Sequence, residues 1–155
     1  MKSERLNWFL TVGANVGVIL GLVFLAIQIY QSTLATQATL HLDLITYGRE
    51  NAELLASDDE LAEIVLRGEE DLTSLTPVER ERFLIFTTWR MTVWETAFLN
   101  WDTGVVDDRY WKQFDVWYSE MVRSRPGYRE WWVETRFAFD PIFREHVDSV
   151  VGSAL

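Results

Sequence analysis

From Leu6 to Leu40 the chain carries no charged side chain and no histidine, and Val, Ile, Leu, Phe, Gly and Ala dominate Val12 to Ile29. Trp8 and Tyr30 bracket that run. At about 1.5 Å per helical residue the stretch 8–30 reaches roughly 35 Å, against a hydrocarbon core of roughly 30 Å. Aromatic residues at both ends suit the two bilayer interfaces. The pattern predicts a short flank over 1–7, a transmembrane helix over 8–30 with Trp8 and Tyr30 as interface anchors, and an all-helical water-facing domain over 31–155. The competing reading is a cleavable signal peptide with Lys2 and Arg5 as its basic end. The apolar run exceeds a typical signal core and no small-x-small cleavage site follows at once, so a retained anchor is expected.

Beyond the span, Leu34, Ala38, Leu42, Ile45, Ala52 and Leu55 recur at near-helical spacing with one glycine, Gly48, and no proline before Ala56. One long helix is expected to run from the membrane into the domain, with Gly48 the candidate kink. Ser57 reads as the cap of a short helix carrying Leu61, Ile64 and Val65 and stopped by Gly68. Thr76-Pro77-Val78-Glu79 combines a cap, a proline at the first helical position and a capping-box glutamate. The helix it opens carries Phe83, Leu84, Phe86, Trp89, Val93, Trp94, Ala97 and Phe98, apolar nearly all round, which marks a central buried element. Asp107 caps a helix whose stripe runs from Tyr110 through Trp117 to Val122. Pro126-Gly127 breaks it, and Asp140-Pro141 opens a last helix with Ile142, Phe143, His146, Val147 and Val150 expected inward. No alternating strand pattern of useful length occurs, so the expected class is all-α: an N-terminal transmembrane helix extending into a small helical bundle.

At about 100° per residue, Gly13, Gly17 and Gly21 share one face of the apolar segment, and Gln28, Gln31, Ser32 and Ala35 continue it. Small residues four apart let two helix backbones approach closely, which is how helices associate in lipid. Gly13, Gly17, Gly21 and Gln28 are thus the expected helix-packing residues. Thr11 and Asn15 fall on the opposite face, and an amide in hydrocarbon needs a partner or water. Two faces unsuited to lipid imply more than one neighbour per helix. A ring of copies is one solution, with Thr11, Asn15, Gln28 and Gln31 as candidate pore-lining residues. A larger membrane complex is another.

Charge narrows the partners. The net charge is −10, from 24 acidic and 14 basic residues, while 14% of the chain is aromatic, including eight Trp. So acidic a chain repels nucleic acid and anionic headgroups at long range, and no Lys/Arg stripe offers a phosphate-binding face. The aromatic content belongs to a folded domain rather than an acidic tail. With no cysteine and only His41 and His146, thiolate sites and His-rich metal sites are excluded. No Walker loop, GxGxxG, GxSxG or HExxH occurs, so neither catalysis nor a cofactor is expected. Of the acidic clusters, 58–60 and 107–108 open helices and are explained by capping. Glu69-Glu70-Asp71 follows an expected helix end and is the freest to meet a cation, though it lacks the spacing of an oxygen cage, so no metal site is assigned. His146 is read as a satisfied boundary histidine.

The segment Phe24-Leu25-Ala26-Ile27-Gln28-Ile29-Tyr30-Gln31-Ser32-Thr33 resembles the membrane-helix end of a set of short bacterial single-pass membrane proteins of uncharacterised activity, whose pattern there is Tyr-Leu-Ala-x-Gln-Ile-Arg-Gln-Asn-Thr. The likeness continues in Leu75 to Arg80, in Arg125-Pro126-Gly127-Tyr128-Arg129-Glu130-Trp131-Trp132 and in Asp140 to Arg144. It implies a bacterial inner-membrane protein. Tyr30 stands where that set often has arginine. The resemblance implies a cytoplasmic domain, whereas Lys2 and Arg5 before the span, with no basic residue after it until Arg49, place the N-terminus in the cytoplasm. The cytoplasmic domain is preferred because relatives of one fold seldom invert. The expected function is an oligomeric membrane scaffold or interaction module, with the lipid bilayer and copies of itself as partners. A homo-oligomeric ion channel and an accessory subunit of a larger membrane complex are the alternatives.

Overall fold

The computed structural model describes residues 2–152, with the side chains of residues 2–7, 9 and 11 outside the described set. It is all-α, with six helices: α1 (Lys2–Ser57), α2 (Asp59–Glu70), α3 (Pro77–Asp102), α4 (Asp108–Ser124), α5 (Pro126–Thr135) and α6 (Pro141–Gly152). Short 3-10 turns at Leu72–Ser74 and Arg136–Ala138 join α2 to α3 and α5 to α6. The chain divides into two units, 1–39 and 40–155.

The first unit is helix alone. From Val12 to Thr36 every residue is exposed, Val18, Leu20, Leu22 and Phe24 included. The α1 helix is long and apolar enough to cross a bilayer, and none of its apolar window is buried. It runs through Gly48 without interruption, as a helix with no proline to remove a donor or clash with the preceding turn can.

The second unit is a bundle built on α3, which packs against α2, α4, α5 and α6. Its start is fixed locally: Glu79 N–H donates to Thr76 Oγ1 at 3.4 Å, and Thr76 N–H donates to Glu79 Oε2 at 2.8 Å. Both capping-box bonds expected from the sequence are therefore present. Asp107 caps α4 by accepting from Arg109 N–H at 2.9 Å. Asp140 accepts from Ile142 N–H at 2.8 Å at the start of α6. The core is aromatic. Trp94, Phe143, Trp131, Tyr128 and Phe83 are fully buried, with Trp94 stacked on Tyr118 at 5.5 Å and edge-on to Phe143 at 5.2 Å.

Several expectations are corrected. The cap of α2 is Asp58, whose Oδ1 accepts from Leu61 N–H at 2.9 Å. Ser57 ends α1 instead, its hydroxyl donating back to Leu54 O. Asp and Ser cap about equally well, so the pair Ser57-Asp58 leaves the choice open to one residue, and here Asp58 meets the free N–H of the first turn. Gly68 does not stop α2, which continues to Glu70. Trp89 is 70% exposed, since on a helix apolar nearly all round the pattern alone leaves the buried side undecided, and Ile142 in the first turn of α6 is 53% exposed. Trp117 and Tyr110 on α4 are likewise exposed.

The Glu79 carboxyl is held down to about 2 by the Thr76 N–H and by Arg67. A carboxylate lowered on folding stabilises above its unfolded value of 4.5, and that stabilisation is lost as pH falls through about 2. Glu79→Gln is expected to lower the melting midpoint at pH 7, with the gap to wild type closing as pH falls from 4.5 to 2. Circular dichroism melts across that range check it.

Candidate functional site

The most unusual chemistry in the bundle surrounds Glu69, a carboxylate left 6% exposed at the end of α2. Its Oε1 accepts from Arg125 Nη1 at 2.7 Å and from the Tyr128 hydroxyl at 2.8 Å. Arg90 Nη1 lies 3.6 Å from the same oxygen and donates to the Tyr128 hydroxyl at 2.8 Å. Four groups from α2, α3, α5 and the turn before α5 thus meet at one oxygen. Burial pushes the Tyr128 hydroxyl well above the ordinary phenol range, so it stays a donor to the carboxylate.

Two glycines make this meeting possible. A Cβ on Gly127 would collide with the Gly68 carbonyl oxygen, and a Cβ on Gly68 would run into the Phe83 ring. Only backbones without side chains bring α5 this close to α2 and α3, and Tyr128, next to Gly127, reaches Glu69 as a result. Gly68 is therefore a contact surface rather than a helix stop.

The expected free cluster is also corrected. Glu69 is taken up by this network, and Asp71 caps the 3-10 turn by accepting from Thr73 N–H at 2.7 Å. His146 Nε2 lies 2.6 Å from Asp115 Oδ1, with the Phe98 ring stacked on it at 5.2 Å.

Arg90 is 15% exposed at its side chain and borders two hollows of the bundle. One, of about 520 Å³, lies between the segment 44–55 of α1 and helices α3 and α4. Leu44, Ile45, Leu55, Phe86 and Phe114 give it apolar walls, and Gly48, Asn51, Gln113, Trp117 and Tyr118 complete them. The other, of about 430 Å³, is flanked by Glu69 and Arg125. The Trp117 ring lies 5.0 Å from the Arg90 guanidinium carbon, a cation–π contact. Burial pushes the Tyr118 hydroxyl up to about 12.

The sequence-derived site residues lie in the other unit. Gly13, Gly17 and Gly21 have nothing within 4 Å of where a Cβ would stand. Asn15, Gln28 and Gln31 are exposed on the same helix, as are Trp8 at 61% and Tyr30 at 66%. The side chain of Thr11 lies outside the described residues. Two sequence signals mark parts of the Glu69 network: the Glu69-Glu70-Asp71 acidic cluster, expected to be solvated, and Arg125-Pro126-Gly127-Tyr128, expected as a helix break and part of the resemblance.

Glu69→Ala would leave Arg90 (15% exposed) without its counter-charge while Arg125 (43% exposed) turns to water, and is expected to cost about 3 kcal/mol, the low end for a broken buried pair. Gly127→Ala is expected to cost at least about 2 kcal/mol by forcing α2 and α5 apart. Gly48→Ala, with open space around it, is expected to be neutral or to stabilise by up to ~1 kcal/mol. Chemical denaturation of the full chain ranks the three.

No protein-family model, no curated protein and no solved structure matches this chain.

Proposed function

We propose that the chain is a single-pass membrane protein that self-associates through its N-terminal helix and displays an acidic helical bundle as an oligomeric scaffold at the bacterial inner membrane. The observation that carries this reading is the uncovered apolar surface from Val12 to Ile29, with Gly13, Gly17 and Gly21 along one side of it. Removing one aliphatic side chain from water is worth about 1.5–3 kcal/mol. A row of them left wet would outweigh the ~5–15 kcal/mol that holds a typical domain together, so the surface needs lipid or a partner to cover it. Open space at all three glycines is what close backbone approach of a second helix requires.

A second reading, a pore formed by a ring of these helices, is supported by Asn15. This exposed amide on the apolar helix needs a polar partner or water at membrane depth. Thr11 shares its face and would line the same path, while Gln28 and Gln31 on the opposite face are the alternative lining.

Full-length protein is expected to sediment with membranes through an alkaline wash and to run as an oligomer in mild detergent. Gly17→Leu is expected to reduce that oligomer to monomer. Ala26→Leu, which places the same side chain on the opposite side of the helix, is expected to leave it intact. Protein that stays in the supernatant without detergent would defeat the anchor. A mass unmoved by Gly17→Leu would defeat the glycine interface. Bilayer recordings from the purified oligomer decide the pore: silence under voltage removes it.

A further inference from the structure

We propose that the hollow between α1, α3 and α4 is a binding site for an amphipathic monocarboxylate with an apolar tail, its carboxylate held by Arg90. The proposal concerns the bundle and stands independently of the membrane reading.

Three observations carry it. First, the hollow has the size and character of a ligand site. At about 520 Å³ it falls within the ~300–1,000 Å³ of small-molecule pockets, which are mostly apolar with a few placed polar groups. Apolar walls from Leu44, Leu55, Phe86 and Phe114 suit a hydrocarbon chain. Second, the charges do not balance. Arg90 and Arg125 both lie within ion-pair distance of Glu69, and no second carboxylate joins them among the described residues. One positive charge is left over in a chain whose net charge is −10. A single anionic head would neutralise it. Third, Arg90 has donors to spare. A guanidinium carries five N–H donors in one plane. Among the described residues Arg90 hydrogen-bonds through Nη1 alone, to Tyr128. The Trp117 ring lies 5.0 Å from the guanidinium carbon, and the unused donors suit the two oxygens of a carboxylate. The Tyr118 hydroxyl, on the same wall, makes no hydrogen bond among the described residues and adds a further donor.

The chemistry selects among ligands. One surplus charge favours a monocarboxylate over a phosphate dianion, and the same surplus rejects ammonium heads. An alcohol with the same tail satisfies the walls but leaves the guanidinium unneutralised.

The test is photo-labelling of the full-length chain with a ten-carbon carboxylate carrying a diazirine in its tail, followed by peptide mapping. Nanodiscs serve as the host, or plain buffer if the chain needs no lipid. Labels are expected on the α3 and α4 peptides that line the hollow, displaced at least tenfold better by decanoate than by decanol. Gly48→Phe, which grows a ring into open space on the wall of the hollow, is expected to reduce this labelling at least tenfold while preserving the helical signal. Arg90→Gln is expected to abolish the preference for decanoate over decanol. Gly48→Phe keeps the test valid if Arg90→Gln fails to fold. Labels confined to residues 12–30, equal displacement by decanol, or labelling unchanged by Gly48→Phe would each overturn the proposal.

Discussion

A carboxylate buried to the degree of Glu69 is costly unless several donors replace its water, and the bundle supplies them from elements far apart in sequence. Arg125, the residue before α5, and the Tyr128 hydroxyl within α5 donate to it, and Arg90 on α3 donates in turn to that hydroxyl. Meeting at one oxygen fixes the separation of α2, α3 and α5 more tightly than apolar packing would, since apolar contacts tolerate sliding and hydrogen bonds do not. The Gly68–Gly127 contact is the steric counterpart of the same constraint: the carboxylate can be reached only because no side chain stands between the two backbones. Once α5 is pinned there, Trp131 and Trp132 follow into the core. Trp132 packs on Phe139 at 5.3 Å and donates from its indole N–H to Asp148 on α6 at 2.8 Å.

The N-terminal helix obeys a different rule. Its backbone is satisfied internally by helical hydrogen bonds, which is the condition for surviving in hydrocarbon, but its side chains gain nothing from the rest of the unit. Two of its exposed threonines return their hydroxyls to the preceding turn, Thr33 to Ile29 O at 3.0 Å and Thr36 to Ser32 O at 3.0 Å. Such bonds remove hydroxyls from the demand for outside partners. Asn15 and Gln28 have amides with more donors and acceptors than a helix turn can absorb, so they keep a need for neighbours where the threonines do not.

What could be read from the sequence was local. The Thr76–Glu79 box, the Asp107 cap and the Asp140-Pro141 start each involve residues within one turn, and each stands where the pattern put it. The long apolar run was legible because nothing interrupts it. Positions whose meaning depends on distant partners were not. Gly68 looks like a stop until Phe83 and Gly127 are placed against it, and Glu69 looks like a solvated acid until Arg90, Arg125 and Tyr128 surround it. The exposure of Trp89 has a related cause. On a helix with apolar residues most of the way round, spacing cannot say which side is covered, and only the neighbouring helices decide.

The position of Arg90 links the stabilising network to the hollow beside it. Replacing a buried ionic cluster with apolar side chains of similar volume is often neutral or stabilising, so packing alone gives little reason for two arginines to serve one carboxylate. Arg125 satisfies Glu69 directly at 2.7 Å, whereas Arg90 approaches only to 3.6 Å and spends its hydrogen bond on Tyr128. The second arginine is therefore the weaker contributor to the network and the better placed for something else. Tyr128 and the Trp117 ring hold its guanidinium at the wall of an apolar hollow without using its remaining donors. A cation oriented in advance loses little freedom when an anion arrives, and here the orientation comes from the same contacts that fix the bundle.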